Sequence, residues 1–259
     1  MKSQKILLAA ALLALGAASC QKEENVITQF TAGMEQSEAK TYLDGQLLKW
    51  VSGDQVKVYS DGANGADFDV TPRDGNATWA VLNGEIGEGD SYTAIYPAGI
   101  AASATSVTLP AVQTSLDGSL AEFPMYAEST TDEFQFKNLC GALRIHLEQA
   151  NCTISRIKVT AGSAINGIYD IYDTTGIPML AHHDGSGTNT VTLTLGTDQP
   201  IADGHDFYIY LPAGEYSNMQ LTFYQPDGSC CTKSGNVTVE RSVCTPVAIN
   251  GGLVFSSPE

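Results

Sequence analysis

The chain has 259 residues and carries 13 Lys and Arg against 29 Asp and Glu, a formal net charge of −16 at pH 7. Such a surface repels phosphate backbones and excludes nucleic acid as a partner. A hydrophobic share of 43% supports a packed core rather than a disordered chain, and the length suits two ordinary domains or one large β-domain.

Lys2 and Lys5 precede an apolar run, Ile6 to Leu15, and Gly16-Ala17-Ala18-Ser19 then leads into Cys20. A basic start, a short apolar core and a small-residue exit make an export signal over residues 1–19, too short for a membrane span. A Cys directly after the small residues resembles the lipobox of a bacterial lipoprotein, with Ala17 where Leu is usual. Lipid on the Cys20 sulfur, with palmitate-type acyl chains, then ties the mature chain to outer-membrane lipid, each buried methylene adding roughly 0.8 kcal/mol. The linker 20–25 carries Lys22-Glu23-Glu24, which resembles the surface-export tag of Bacteroidales-type lipoproteins and implies an outer-membrane, surface-exposed protein.

Beyond the linker, apolar alternation with period two dominates. Leu143, Ile145 and Leu147 alternate with Arg144 and His146; Val191, Leu193 and Leu195 with threonines; Phe207, Ile209 and Leu211 with Tyr208 and Tyr210; Met219, Leu221 and Phe223 with Gln220 and Thr222; Val237 and Val239 flank Thr238. Each pattern predicts a strand with one face on a core and one in solvent. Turn pairs punctuate them: Asp44-Gly45, Asp61-Gly62, Asp74-Gly75, Asn83-Gly84, Asp117-Gly118, Asp184-Gly185 and Asp227-Gly228. Many short strands with regular turns predict an all-β chain of antiparallel sandwiches. Tyr92-Thr-Ala-Ile-Tyr-Pro97-Ala-Gly99 resembles Phe207-Tyr-Ile-Tyr-Leu-Pro212-Ala-Gly214, and this internal repeat predicts two tandem β-sandwich domains, 26–135 and 136–259.

No catalytic constellation stands out: no P-loop, zinc-protease helix, nucleophile elbow or dinucleotide fingerprint is present. The chain is read as a non-enzyme, with no cofactor and no metal. His182-His183-Asp184 is the best metal-like cluster, but adjacent strand histidines point to opposite faces. Asp61, Asn64, Asp67 and Asp69 resemble a calcium loop in composition only, and nothing fixes the separation of Asp170 and Asp173. Trp50 and Trp79 read as core anchors sooner than as a sugar-stacking platform. Beyond Cys20, Cys140, Cys152, Cys230, Cys231 and Cys244 are odd in number, which leaves at least one thiol free or paired between molecules, with connectivity open.

Several fragments in order resemble the Bacteroidales fimbrillin-like (Mfa-like) family of fimbrial surface lipoproteins. They are Lys40-Thr-Tyr-Leu-Asp-Gly-Gln-Leu-Leu-Lys-Trp50-Val-Ser-Gly53-Asp54, Tyr92–Pro97, Val107–Gln113, Phe134–Leu143 and Phe207–Gly214. The resemblance implies two transthyretin-like sandwiches and a structural or adhesive part of a fimbria (pilus), whose partners are other fimbrial subunits and a ligand on a host or bacterial surface. It also implies assembly by strand complementation: a displaceable N-terminal strand with Val26, Thr28 and Phe30 on one face, and a C-terminal donor over Val247–Phe255 with Val247, Ile249, Leu253 and Phe255 as its knobs. The family's stalk members are cut after arginine, yet no Arg precedes Arg73 here and Lys40 is the basic residue in the expected loop. A lipid-anchored, cell-surface glycan-binding protein is the alternative function.

Overall fold

The computed structural model describes residues 25–35, 48–73, 76–115, 122–249 and 251–257. The strands, in chain order, are β1 (Val26–Met34), β2 (Gln55–Ser60), β3 (Ala66–Arg73), β4 (Asn76–Gly87), β5 (Tyr92–Tyr96), β6 (Ala101–Ser103), β7 (Ser106–Leu109), β8 (Val112–Ser115), β9 (Met125–Ser129) and β10 (Glu133–Asn138). There follow β11 (Gly141–Leu147), β12 (Thr153–Thr160), β13 (Gly167–Asp173), β14 (Pro178–His182), β15 (Thr190–Pro200), β16 (His205–Leu211), β17 (Gly214–Tyr224), β18 (Cys230–Val239) and β19 (Cys244–Val247). Among the described residues the one helical piece is a 3₁₀ turn, Ala98–Ile100, so the all-β expectation holds.

The first unit departs from an open sandwich. Its strands close into a barrel in the order β1-β10-β9-β5-β2-β3-β4. Closure depends on β1, which pairs antiparallel with β4 on one side and parallel with β10 on the other. Closing a sheet on itself removes its free edges. The second unit is a sandwich: a three-stranded sheet, β16-β11-β19, faces a five-stranded sheet, β18-β17-β12-β15-β8.

The expected boundary at 135/136 does not separate the strands cleanly. It falls inside β10, and strands from before it join the second half: β8 pairs parallel with β15, and β7 pairs antiparallel with β13 in a further sheet, β14-β13-β7-β6. The chain thus stitches its two halves together, a feature that period-two alternation does not encode.

Three apolar clusters follow from this layout. One fills the barrel around Phe30, Trp50, Phe68, Phe134 and Phe136. A second lies between the sheets of the second unit and takes Leu143, Ile145, Val191, Leu193, Phe207, Ile209, Met219, Leu221 and Phe223. The third joins the halves through Ile95, Tyr126, Leu139, Cys140, Tyr208 and Tyr210. The expectation that Tyr208 and Tyr210 face solvent is therefore corrected: β16 is buried on both faces, since its back packs against the first unit.

The turn pairs divide. Asp61 and Gly62 adopt φ of 48° and 69° between β2 and β3, a hairpin turn that favours these residue types. Asp184-Gly185 and Asp227-Gly228 also sit between strands. Asn83-Gly84 is no turn; it lies within β4. A Cβ on Gly84 would stand 2.7 Å from the Phe68 ring, so the glycine lets that ring lie against the strand. Asp44-Gly45, Asp74-Gly75 and Asp117-Gly118 lie outside the described residues.

Candidate strand-exchange site

β1 is the seam of the barrel, and its two halves are held differently. From Val26 to Gly33 it pairs with β4, but only Thr31–Met34 also pairs with β10. A bulge opposite Thr28 shifts the register, with Ile27 facing Ile86 and Gln29 facing Asn83. The extra residue is on β4, and the burial pattern of β1 changes at the same place. Phe30 is 1% exposed, and Ala32 and Met34 are buried behind it, whereas Val26 is 54% exposed and Thr28 is also exposed. Of the three residues expected on one face, the structure buries Phe30 and leaves Val26 and Thr28 outside.

Phe30 supplies most of the strand's apolar grip. Its ring lies 5.0 Å from Phe134, 5.1 Å from Tyr92 and 5.4 Å from Phe68, centroid to centroid, within the range for favourable aromatic pairs. Outside the core, Gln29 Nε2 donates to Asn83 Oδ1 at 3.1 Å and Asn25 Nδ2 to Glu88 Oε2 at 2.7 Å.

The end of β1 is fastened to the second unit. Arg241 grips Glu35 through both guanidinium nitrogens, Nη1 to Oε2 at 2.8 Å and Nη2 to Oε1 at 2.9 Å. Asn138 N–H donates to the same Glu35 Oε2 at 3.0 Å, and Arg241 Nη1 also donates to the Asn138 carbonyl at 2.7 Å. Burial alone raises the Glu35 carboxyl, but the hydrogen bonds from Arg241 and Asn138 and the charges of Arg241 and Lys137 outweigh it and leave the group below its ordinary value. Sequence reasoning missed this clamp, because Glu35 and Arg241 are far apart in the chain and neither sits in a motif.

The expected donor segment folds back on its own unit. Val247 ends β19, which pairs parallel with β11. Ile249 and Phe255 pack half-buried against the second core, and Leu253 is buried in it. Between Gly251 and Ser257 the described ladder contact is one antiparallel bridge, Ser256 to Cys230. Beside this tail, β18 and β19 leave a groove of about 470 Å³ lined by Met219, Leu221, Val237, Val247 and Ile249. The opposite flank of the sandwich is sealed. There the buried Gln113 side chain imitates a strand: its Nε2 donates to Tyr210 O at 2.8 Å and its Oε1 accepts from Tyr210 N–H at 3.1 Å.

The remaining sequence candidates do not form a site. His182 Nε2 lies 2.9 Å from Ser186 O, while His183 Nδ1 lies 3.3 Å from Asp170, so the two rings serve different contacts. Among the described residues no three His, Cys, Asp or Glu gather to hold a metal. Asp61 accepts from Ser91 N–H at 2.9 Å and Asp90 N–H at 3.2 Å, Asp67 pairs with Lys57 at 2.9 Å, and Asp69 accepts from Gln55 at 3.0 Å. Asp61 is a turn residue and Asp67 and Asp69 are strand residues of β3, and all three are structural partners. Asp173 caps its own turn by accepting from Gly176 N–H. Trp50 is a core anchor, edge-on to Tyr96 and Phe136, and Trp79 is half-buried. Cys140, Cys152, Cys230 and Cys231 are free thiols. Cys20, Lys22, Glu23, Glu24 and Lys40 lie outside the described residues.

No family model matches the chain, and no curated protein matches it. Solved structures do. A candidate cell adhesion protein from Bacteroides ovatus superposes with a TM-score of 0.51 over 89% of this chain and 95% of that one, at 13% identity. The chain has that protein's fold. A candidate cell adhesion protein from Bacteroides thetaiotaomicron reaches 0.44 over 88% and 97% at 12% identity. The tip fimbrial protein Mfa3 from Porphyromonas gingivalis, with a C-terminal truncation, reaches 0.27 over 70% and 74% at 10% identity. The fold assignment rests on the first of these.

Proposed function

We propose that this chain is a structural and adhesive subunit of a cell-surface fimbria, carried to the outer membrane by lipid on Cys20 and assembled, once the segment that bears Cys20 and β1 is cut away, by β-strand complementation with other fimbrial subunits. The observation that carries the reading is β1. It is a terminal strand that alone joins β4 to β10, and half its length has one paired edge only. Withdrawing it opens a slot lined by Phe68, Tyr92 and Phe134 and flanked by two strand edges, the kind of slot that an extended segment of a neighbour fills. The tail Val247–Phe255 presents Val247, Ile249, Leu253 and Phe255 as apolar knobs and is tied to its own unit by few ladder bonds, which suits a donor. The adhesive role draws on the fold shared with the Bacteroides ovatus protein. Trp50 is sealed in the barrel core, which removes it from any sugar-stacking platform.

The test is surface-sheared native material run on a denaturing gel, boiled and unboiled, with N-terminal sequencing of each band. Complementation predicts a heat-sensitive ladder whose rungs begin after Met34. A single band that retains residues 26–34 overturns the assembly reading.

A further inference from the structure

We propose that Gln149 is the catch that holds the C-terminal strap, residues 251–257, on its own subunit; the inference rests on reading Val247–Phe255, which the strap overlaps, as a donor strand. The strap runs antiparallel to β18 but joins it at one point, where Cys230 and Ser256 exchange N–H···O bonds of 3.1 and 3.0 Å. Three residues along β18, Lys233 Nζ reaches Gly252 O at 3.1 Å. On the strap's other edge a side chain stands where a strand would be. Leu253 N–H donates to Gln149 Oε1 at 2.8 Å, and Gln149 Nε2 donates to Leu253 O at 3.1 Å. One amide thus satisfies both backbone groups of the residue whose side chain is most buried in the strap, while Val254 beside it is 83% exposed.

The catch is rigidly mounted. Gln149 N–H donates to Ile201 O at 3.0 Å, and Ile201 N–H donates to Cys152 O at 3.1 Å, so the amide is presented from a turn fixed to the body of the unit. A strand meant to stay would make a continuous ladder. A single side-chain amide on a part-exposed turn gives a hold that water can replace, so the strap opens locally without unfolding the sandwich. Gln149 then sets how often the donor is free.

The experiment is hydrogen exchange by mass spectrometry on the full mature chain, comparing Gln149→Met, which keeps the length and loses both bonds, with Gln149→Glu, which keeps the acceptor only. Exchange over 251–257 should rise about tenfold or more in the Met variant and less in the Glu variant, with β12 and β17 unchanged. Unchanged strap exchange in the Met variant overturns the catch, as does an equal rise in β12 and β17, which marks a general packing role. The same variants, expressed in the native cell and sheared from its surface so that β1 can be removed, are scored for heat-sensitive multimers. Faster strap exchange with no multimers in any variant leaves the catch standing and removes the donor reading; more multimers with unchanged strap exchange does the reverse.

Discussion

Truncating Phe30 to Ala tests whether β1 is a separable seam. The ring is 1% exposed and meets three other rings at 5.0 to 5.4 Å. A buried Phe removes some 150–250 Å² from water, which at about 25 cal/mol per Å² is roughly 4–6 kcal/mol; measured Phe→Ala losses run at about 3–5 kcal/mol. The other core-facing residues of β1 are Ala32, Met34 and the partly buried Ile27, so Phe30, the one aromatic ring among them, carries a major share of the strand's hold. If β1 opens on its own, the loss appears as local opening. A loss of 3–5 kcal/mol corresponds to a rise of about two to three and a half powers of ten in the open fraction. Hydrogen exchange read peptide by peptide should show that rise in β1 and in the facing amides of β4 and β10, with β12, β15 and β17 little changed. An equal acceleration in both units means that β1 unfolds only with the whole chain, and the seam argument fails. Val26→Ala, at a position 54% exposed, is the matched control and should change exchange by less than a factor of about three.

Glu35→Gln should cost about 1–3 kcal/mol at neutral pH, because charge-assisted bonds from Arg241 and Asn138 weaken together. The Glu35 carboxyl is depressed in the fold, so its contribution is full above its unfolded value near 4.5 and fades as pH falls through the lower folded value. The melting-temperature gap between wild type and variant should therefore narrow on acidification below about pH 4.5, and a constant gap refutes the assignment. Gln113→Leu leaves the N–H and C=O of Tyr210 buried without a partner and should cost about 2–4 kcal/mol, read as a lower melting temperature; an unchanged value means that β16 needs no seal there. Gly141→Ala places a Cβ 2.1 Å from the Glu240 carbonyl oxygen. That atom is backbone and must move, so the variant should lose at least about 2 kcal/mol in a denaturant titration. In the native protein a thiol reagent should label Cys230 and leave Cys140 untouched until unfolding, since Cys140 is fully buried and burial pushes its thiol far up; mass-mapped labelling of Cys140 at the same rate contradicts the burial.

The alternating strands were legible because their inward sets are apolar and turns such as Asp61-Gly62, Asp184-Gly185 and Asp227-Gly228 carry Asp with Gly. Leu143-Ile145-Leu147 and Met219-Leu221-Phe223 point into the core as their spacing requires. The pattern failed where a strand has two buried faces. Tyr208 and Tyr210 read as an outward face because tyrosine is tolerated in solvent, but the first unit covers them. Asn83-Gly84 misled for a related reason: the pair is a turn signal locally, while here the glycine answers a distant demand, space for Phe68. At the candidate site, Phe30 was legible as a buried strand residue. The bulge opposite Thr28 was not, since it depends on the count of residues in β4. The Glu35–Arg241 clamp and the two glutamine pairings lay beyond reach, because they join single polar residues across sequence separations of 206, 104 and 97.

The two glutamines share one physical logic. A sandwich of unequal sheets leaves strand edges whose N–H and C=O groups need partners. Full strands settle this with a ladder and fix the edge permanently. A glutamine amide sets an N–H, one of its two, beside its C=O much as a peptide group does, so it can satisfy both backbone groups of a single edge residue but cannot extend a ladder. At Tyr210 the amide is buried and reinforced by β8 alongside, and the flank is closed. At Leu253 the same chemistry sits on a part-exposed turn beside a tail with one bridge, and the flank is only held shut. Burial around the amide, rather than the bond itself, separates a seal from a catch: water competes at Gln149 and is excluded at Gln113. A Gln113 variant should therefore lower global stability with the strap's protection unchanged, and a Gln149 variant should free the strap at nearly constant global stability. Swapped phenotypes in that pair of measurements would remove the distinction.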